Sequence, residues 1–324
     1  MLYNFGLADL GWNDVSFHGS NQIPTPTIDD LAHSGVILDR HYVNAVCSPT
    51  RSSLMTGRAI INTGIYDPLA TGVNSGLNAS CNRPTEQPCL FLPEVLNGMG
   101  YRSYMVGKWH LGMYSYDQVP TQRGFAEWRL GYLGGAEDYF KHISGPGLDF
   151  WRANATAFNA ATNESGQYST TLFANQAVEV IEEHKATRPA DEPFFLYLAW
   201  QAMHSPLEAP QEAIDKFNST IEDISRRTVA AMVTEADDGI ARVRDALKRA
   251  GHGGDDTIIV FSADNGESAF KPGVRGNGCV AAYLHQLARC SFVLLPVLIL
   301  QPYRRWSRRW FQREYGVQLA SRWA

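Results

Sequence analysis

Cys47 and Arg51 stand in the segment Cys47-Ser48-Pro49-Thr50-Arg51, which continues through Ser52 to Gly57-Arg58. A thiol and a guanidinium at this spacing suit chemistry on a tetrahedral oxyanion. Pro49 fixes φ, and the residues after it can open a helix. Cys47 then lies beside a helix N-terminus, where backbone amides and the helix dipole favour anions. Arg51 adds a fixed, bidentate partner for such an anion. Read alone, the segment serves equally well as a buried structural cysteine, a common fate of free thiols.

Further polar residues gain meaning from the elements before them. Several short apolar runs have the length and composition of buried parallel strands, and each leads into polar groups. Leu2–Leu7 leads to Asp9, and Tyr104–Val106 leads to Lys108 and His110. Phe194–Trp200 leads to His204, and Thr257–Phe261 to Asp264 and Asn265. In open α/β sheets, ligands bind outside the carboxyl ends of the strands, so these side chains are expected to converge on one edge. Alone, His204-Ser205-Pro206 reads as a loop and Asp264-Asn265 as a turn after a strand.

Helical patterns lie between the runs. Thr25-Pro26 reads as an N-cap followed by proline in the first turn, with Gly35 ending that helix. Gln167–His184 carries an apolar face through Leu172, Ala177, Val180 and Ile181. Ile224–Ala250 is the clearest helix: Val229, Met232, Ala236, Ile240, Val243 and Leu247 recur at three and four, and Gly251 caps it. Strands alternating with helices predict an α/β architecture, a largely parallel central sheet flanked by helices. No internal repeat is visible.

The chain of 324 residues is long enough for a sizeable core, and 44% hydrophobic against 19% charged residues fits a folded protein. A net charge of −5 argues against a general nucleic-acid binder. The charge is uneven: residues 301–324 hold six Arg and one Glu, which leaves −10 for the first 300. Five cysteines, Cys47, Cys81, Cys89, Cys279 and Cys290, cannot all pair, so at least one is free or modified. Cys81 and Cys89 are close enough in sequence to close a small disulfide loop. Sequons at Asn78, Asn154, Asn163 and Asn218 lean towards a secreted or lysosomal protein, although no signal peptide precedes them.

The motifs in order resemble the sulfatase family, and most nearly its arylsulfatase B-like branch. Cys47, Pro49 and Arg51 match the family's Cys-x-Pro-x-Arg. Gly100-Tyr101 through Val106-Gly107-Lys108-Trp109-His110-Leu111-Gly112 resembles its second signature. Asp9-Leu10-Gly11-Trp12-Asn13-Asp14-Val15 and Ser262-Ala263-Asp264-Asn265-Gly266 resemble its two metal segments. The resemblance covers about residues 2–276. It implies an alkaline-phosphatase-like α/β fold and a hydrolase of aryl sulfates or sulfated sugars. It also implies one Ca2+ ion, with Asp9, Asp264 and Asn265 as ligands of the oxygen type that a hard cation takes.

By the same resemblance, a formylglycine-generating enzyme oxidises Cys47 to formylglycine. Its hydrate attacks sulfur with one hydroxyl and expels sulfate with the other. Arg51 and Lys108 then neutralise developing charge, His110 takes the proton of the spare hydroxyl, and His204 faces the leaving oxygen. The implied partners are a sulfate ester and the maturation enzyme, and the implied compartment is the secretory pathway.

Three departures from the family pattern stand out. Asp9 is single where the family has two adjacent aspartates. The family's sulfate-contacting lysine has no counterpart, because the context of Lys271 does not match. The family's smaller C-terminal domain is expected to be missing. Residues 1–276 are therefore expected to form the catalytic domain and 277–324 an aberrant or poorly ordered tail. Phe292–Leu300, followed by the basic Arg304–Trp310, is far shorter than the roughly 20 residues of a membrane span. That stretch reads either as a membrane-surface anchor or as a terminus with no fold of its own. A non-catalytic remnant and a phosphate-ester or phosphonate hydrolase are the alternative functions.

Overall fold

The computed structural model describes residues 1–38, 41–69, 89–135, 137–253 and 256–266, together with the backbone of Phe292–Val293. In chain order, strand β1 (Leu2–Leu7) precedes α1 (Pro26–Ser34), α2 (Cys47–Thr56), α3 (Ile60–Thr63) and α4 (Leu92–Gly98). Next come β2 (Arg102–Gly107), β3 (Glu127–Gly131), a small hairpin of β4 (Ile143–Ser144) and β5 (Gly147–Leu148), β6 (Trp151–Asn154) and β7 (Phe158–Ala160). Helix α5 (Ser169–Thr187), β8 (Phe194–Trp200), α6 (Gln211–Asp215), α7 (Ile224–Ala250), β9 (Ile258–Ala263) and β10 (Phe292–Val293) follow.

One sheet has the order β10-β9-β1-β8-β2-β3-β6-β7. Strands β9, β1, β8, β2 and β3 run parallel, while β10 pairs antiparallel with β9, β6 with β3, and β7 with β6. The central strands read as continuous apolar runs because both faces are covered: every residue of β8 is buried. Side chains then sort by period two. Tyr3, Phe5, Leu7, Leu196, Leu198 and Trp200 face the core shared with α1, α5 and α7. Phe195, Tyr197, Ala199 and Met105 join Met55 of α2, Leu96 of α4, Trp109 and Phe125 on the other face. Leu7 is level with Trp200 and Ala263, and Gly107 with Ala199, so the strands end together at one carboxyl edge.

Helix α7 matches its expected bounds: the Asp223 side chain accepts from Arg226 N at 2.7 Å, and Gly251 closes it in the left-handed region. Helix α1 begins at Pro26 as expected, but Thr25 provides no side-chain cap. Its hydroxyl donates to Asp29 Oδ1 at 2.9 Å instead. The free amides of Thr27 and Ile28 are taken by Asp237 of α7, at 3.1 and 2.8 Å. Helix α5 starts two residues later than the sequence pattern and runs three further. Strand β9 runs to Ala263 rather than ending at Phe261.

The expected boundary at 276, Lys271, Cys81, Cys279, Cys290, Asn78 and the tail from 277 lie outside the described residues, apart from the backbone of β10. That strand pairs with β9, Phe292 opposite Ser262. Among the described residues, no helix is long and apolar enough to cross a membrane.

Candidate active site

Helix α2 opens at Cys47, so the thiol belongs to the first turn and Pro49 to the third helical position. Val46, extended at φ −143° and ψ 164°, sets the entry of the chain. Lys108 leaves the end of β2 and its Nζ donates to Cys47 Sγ at 3.1 Å. Both residues are buried. Gly107 permits this exit: it holds φ +100°, and a Cβ there would lie 1.9 Å from the Ala199 carbonyl oxygen.

Burial pushes the Cys47 thiol up to about 12, reinforced by the Asp264 charge and opposed by Lys108. The helix N-terminus favours an anion, but desolvation outweighs it here, and the group stands as a neutral thiol.

Arg51 is 1% exposed, and every nitrogen of its fork is engaged. Nε and Nη2 donate to Asp264 Oδ2 at 3.0 and 2.9 Å. Nη1 donates to the Lys108 carbonyl at 2.7 Å and to the Tyr197 hydroxyl at 3.3 Å. The sequence suggested an Arg51 fork open to a substrate oxyanion; in the structure its bidentate partner is Asp264. A guanidinium this deep cannot leave donors unmatched, and a carboxylate is its best partner. Burial opposes ionisation of Asp264, yet Arg51 and Lys108 outweigh it and hold the carboxyl below its usual range.

Asp9 follows β1 at φ +57°. Its amide donates to Asp264 Oδ1 at 3.3 Å, and its own Oδ1 accepts from Asn265 Nδ2 at 2.6 Å. Asn265 Oδ1 is buried with no hydrogen-bond partner among the described residues. Two carboxylates and an orphaned amide oxygen therefore meet at the ends of β1 and β9. This oxygen set suits a hard divalent cation, although it is smaller than the six to eight ligands that calcium takes.

A second donor set overlaps the first. Asp9, Cys47 and His204 each offer one atom, and those atoms lie within 4.8 Å of one another. For a hard cation the all-oxygen set is the better chemical match, because sulfur and imidazole nitrogen suit softer ions. His204 Nδ1 donates to the Ser205 carbonyl at 2.7 Å, and Nε2 faces Asp9 Oδ2 at 4.0 Å.

His110 also holds φ +57°. Its Nε2 donates to the Leu69 carbonyl at 3.1 Å, which fixes the tautomer and leaves Nδ1 as a buried acceptor without a partner among the described residues. Burial, then the charges of Lys108 and Arg51, hold its pKa well below the usual imidazole value. Gly135 backs the ring: a Cβ there would stand 2.5 Å from His110 Cε1.

The expected residues thus gather at one edge: Cys47, Arg51, Lys108, His204, Asp9, Asp264 and Asn265 are linked by the contacts above. His110 touches Leu69 and Gly135 rather than the thiol directly. The sequence reading missed Tyr197, the Leu69 carbonyl and Gly135. Only Tyr197 left a signal, a phenol inside the apolar run Phe194–Trp200 that needs a polar partner when buried.

The chain is similar to known proteins along most of its length. A family model described as Sulfatase matches residues 8–289. Arylsulfatase J of Mus musculus is 40% identical over 268 residues, spanning 80% of this chain and 41% of that protein. N-acetylgalactosamine-6-sulfatase of Sus scrofa is 32% identical over 276 residues, spanning 80% of this chain and 49% of that one. The crystal structure of Ps i-CgsB in complex with k-i-k-neocarrahexaose superposes with a TM-score of 0.70 at 34% identity, over 82% of this chain and 58% of that one. The chain spans about half the length of these relatives.

Proposed function

The chain belongs to the sulfatase family, and from that premise we propose that it hydrolyses sulfate esters at a formylglycine derived from Cys47. The observation that carries the reading is the contact of Lys108 Nζ with Cys47 Sγ, beside Asp9 and His204. An unconverted thiol held up at about 12 is a poor nucleophile at neutral pH, which favours a modified side chain as the reactive group.

When present, formylglycine supplies two hydroxyls on one carbon, one to attack sulfur and one to release sulfate. Asp9, Asp264 and Asn265 would hold a calcium ion, which would supply positive charge to the site. The chain's own groups do the rest. Lys108 donates to whatever atom occupies the Cys47 Sγ position and stabilises negative charge there. Arg51 holds Asp264 in place and keeps it ionised. His110, neutral and with Nδ1 unpartnered among the described residues, accepts a proton. His204 hands a proton to the leaving oxygen from Nε2, with Asp9 opposite to stabilise the charged ring.

The names of N-acetylgalactosamine-6-sulfatase and of a solved structure holding a neocarrahexaose favour a carbohydrate sulfate as substrate. A secretory compartment with a formylglycine-generating enzyme fits two further features. Cys89 is disulfide-bonded. The sequon asparagines Asn154, Asn163 and Asn218 are exposed.

Intact-mass analysis from a host with the maturation enzyme, followed by aryl sulfate and aryl phosphate assays with calcium, tests the reading. Conversion of Cys47 and turnover of the sulfate are expected. Phosphate turnover alone, or neither after conversion, would sink it. The single Asp9 favours a weakened metal site as the second reading. Inserting an aspartate between Ala8 and Asp9 should raise calcium affinity about tenfold or more, since ligand charge tunes such sites; unchanged calorimetric binding removes that explanation.

A further inference from the structure

The thiol form of the site has a chemistry of its own. Asp9, Cys47 and His204 present an oxygen, a sulfur and a nitrogen within 4.8 Å of one another. Sulfur and imidazole nitrogen are poor calcium ligands and good zinc ligands. His204 is already set up as such a ligand. Its Nδ1–H is fixed on the Ser205 carbonyl at 2.7 Å, the usual support for a metal-bound imidazole, and its Nε2 faces Asp9. Lys108 Nζ, 3.1 Å from Cys47 Sγ, donates to a metal-bound thiolate as readily as to a thiol. The Oδ1 of buried Asn265, unpartnered among the described residues, lies near Asp9, because the same amide donates to Asp9 Oδ1 at 2.6 Å.

We propose that, before Cys47 is oxidised, this site binds a zinc-type divalent cation through Cys47 Sγ, His204 Nε2 and Asp9, leaving a fourth position open. Bonds of about 2.0 to 2.3 Å require the three donors to draw closer together than they stand here. Binding replaces the thiol S–H bond with an S–Zn bond and releases the proton to solvent. Oxidation of Cys47 removes the sulfur, so the preference of the site passes from a soft cation to a hard one as the protein matures. The inference rests on the sulfatase reading only for the identity of the residue that is oxidised; the binding itself does not depend on turnover.

The test uses the full chain with Cys47 unconverted, verified by intact mass. Cobalt titration reports a thiolate-to-metal charge-transfer band, and competition with a chromogenic chelator reports zinc affinity. One equivalent is expected to bind. Cys47→Ser should abolish the band, and both Cys47→Ser and His204→Ala should lower zinc affinity at least about tenfold. A band that persists in Cys47→Ser, or zinc affinity unchanged in both variants, overturns the proposal. If thermal melts show that Cys47→Ser is unfolded, His204→Ala and Asp9→Asn decide it by the same criterion. Sulfate-ester turnover is read on a separate, converted sample, so the two readings fail independently.

Discussion

On the face covered by α5 and α7, the strands present Phe5, Leu7, Leu198 and Trp200 to Phe173, Val180 and Ile240, all shielded from water. At the carboxyl edge of the same strands, residues equally shielded are Arg51, Lys108, Asp264 and Asn265. The first region is stabilised by removing apolar surface from water, and many side-chain arrangements could achieve that. The second has to balance the cost of desolvating charges. It does so through particular contacts, Arg51 on Asp264 and Asn265 on Asp9, that tolerate little displacement. The teaching is that burial alone does not tell a structural residue from a reactive one; what the buried atom touches does.

The sharpest way to break this comparison is to alter one residue in each region. Cys47→Ala should take sulfate-ester turnover below detection, with a stability cost of about 1–3 kcal/mol because it removes the acceptor of the buried Lys108 ammonium. Turnover that survives would place the reaction elsewhere. Trp200→Ala should do the reverse, costing about 3–5 kcal/mol in denaturant unfolding because it empties a large buried site and removes the bond of Trp200 Nε1 to the Thr170 carbonyl at 3.0 Å. A loss under about 1 kcal/mol would mean that the α5–α7 face repacks freely.

A subtler probe is Gly135→Ala, which crowds the His110 ring from behind. We expect kcat to fall by about 10²-fold with KM little changed, the scale of a misplacement near 1 Å. Equal activity would show that the ring has room to spare.

The smallest effect is on pH dependence. Burial, the largest cause at each, leaves the pKa values of His110, His142 and His184 lowered in the folded chain. The unfolded chain therefore binds more protons below about pH 6.5. The stability they contribute is complete above that value and is lost as pH falls towards their folded pKa values. The lowered carboxyl of Asp264 acts with the same sign further down, its contribution fading as pH drops below about 3.9. Thermal melts from pH 8 to pH 5 should show a falling midpoint; a flat profile contradicts the neutral assignments.

Much of the fold was legible because the parallel strands are buried on both faces, so Leu2–Leu7 and Phe194–Trp200 stand out as unbroken apolar runs. Helix α7 was legible for the complementary reason, an apolar stripe at helical period. Strands β3, β6 and β7 were not. Glu127–Gly131 mixes charge with apolar residues, and Trp151–Asn154 and Phe158–Ala160 are too short to carry a pattern. At the candidate site, the polar residue types after each strand were readable from order alone. The engagement of Arg51 with Asp264, the left-handed backbone of Asp9 and His110, and the tautomer set by Leu69 were not. Each depends on a partner distant in sequence or on a φ angle that side-chain chemistry does not announce.

Asp237 sits in the middle of α7 and holds the first amides of α1, more than two hundred positions earlier in the chain. Residues 26–34 are too few to stand as a helix by themselves. Their amide protons should therefore exchange with deuterium in step with those of α7, as one cooperative unit that opens together. Asp237→Ala should uncouple the two and let the early segment exchange first.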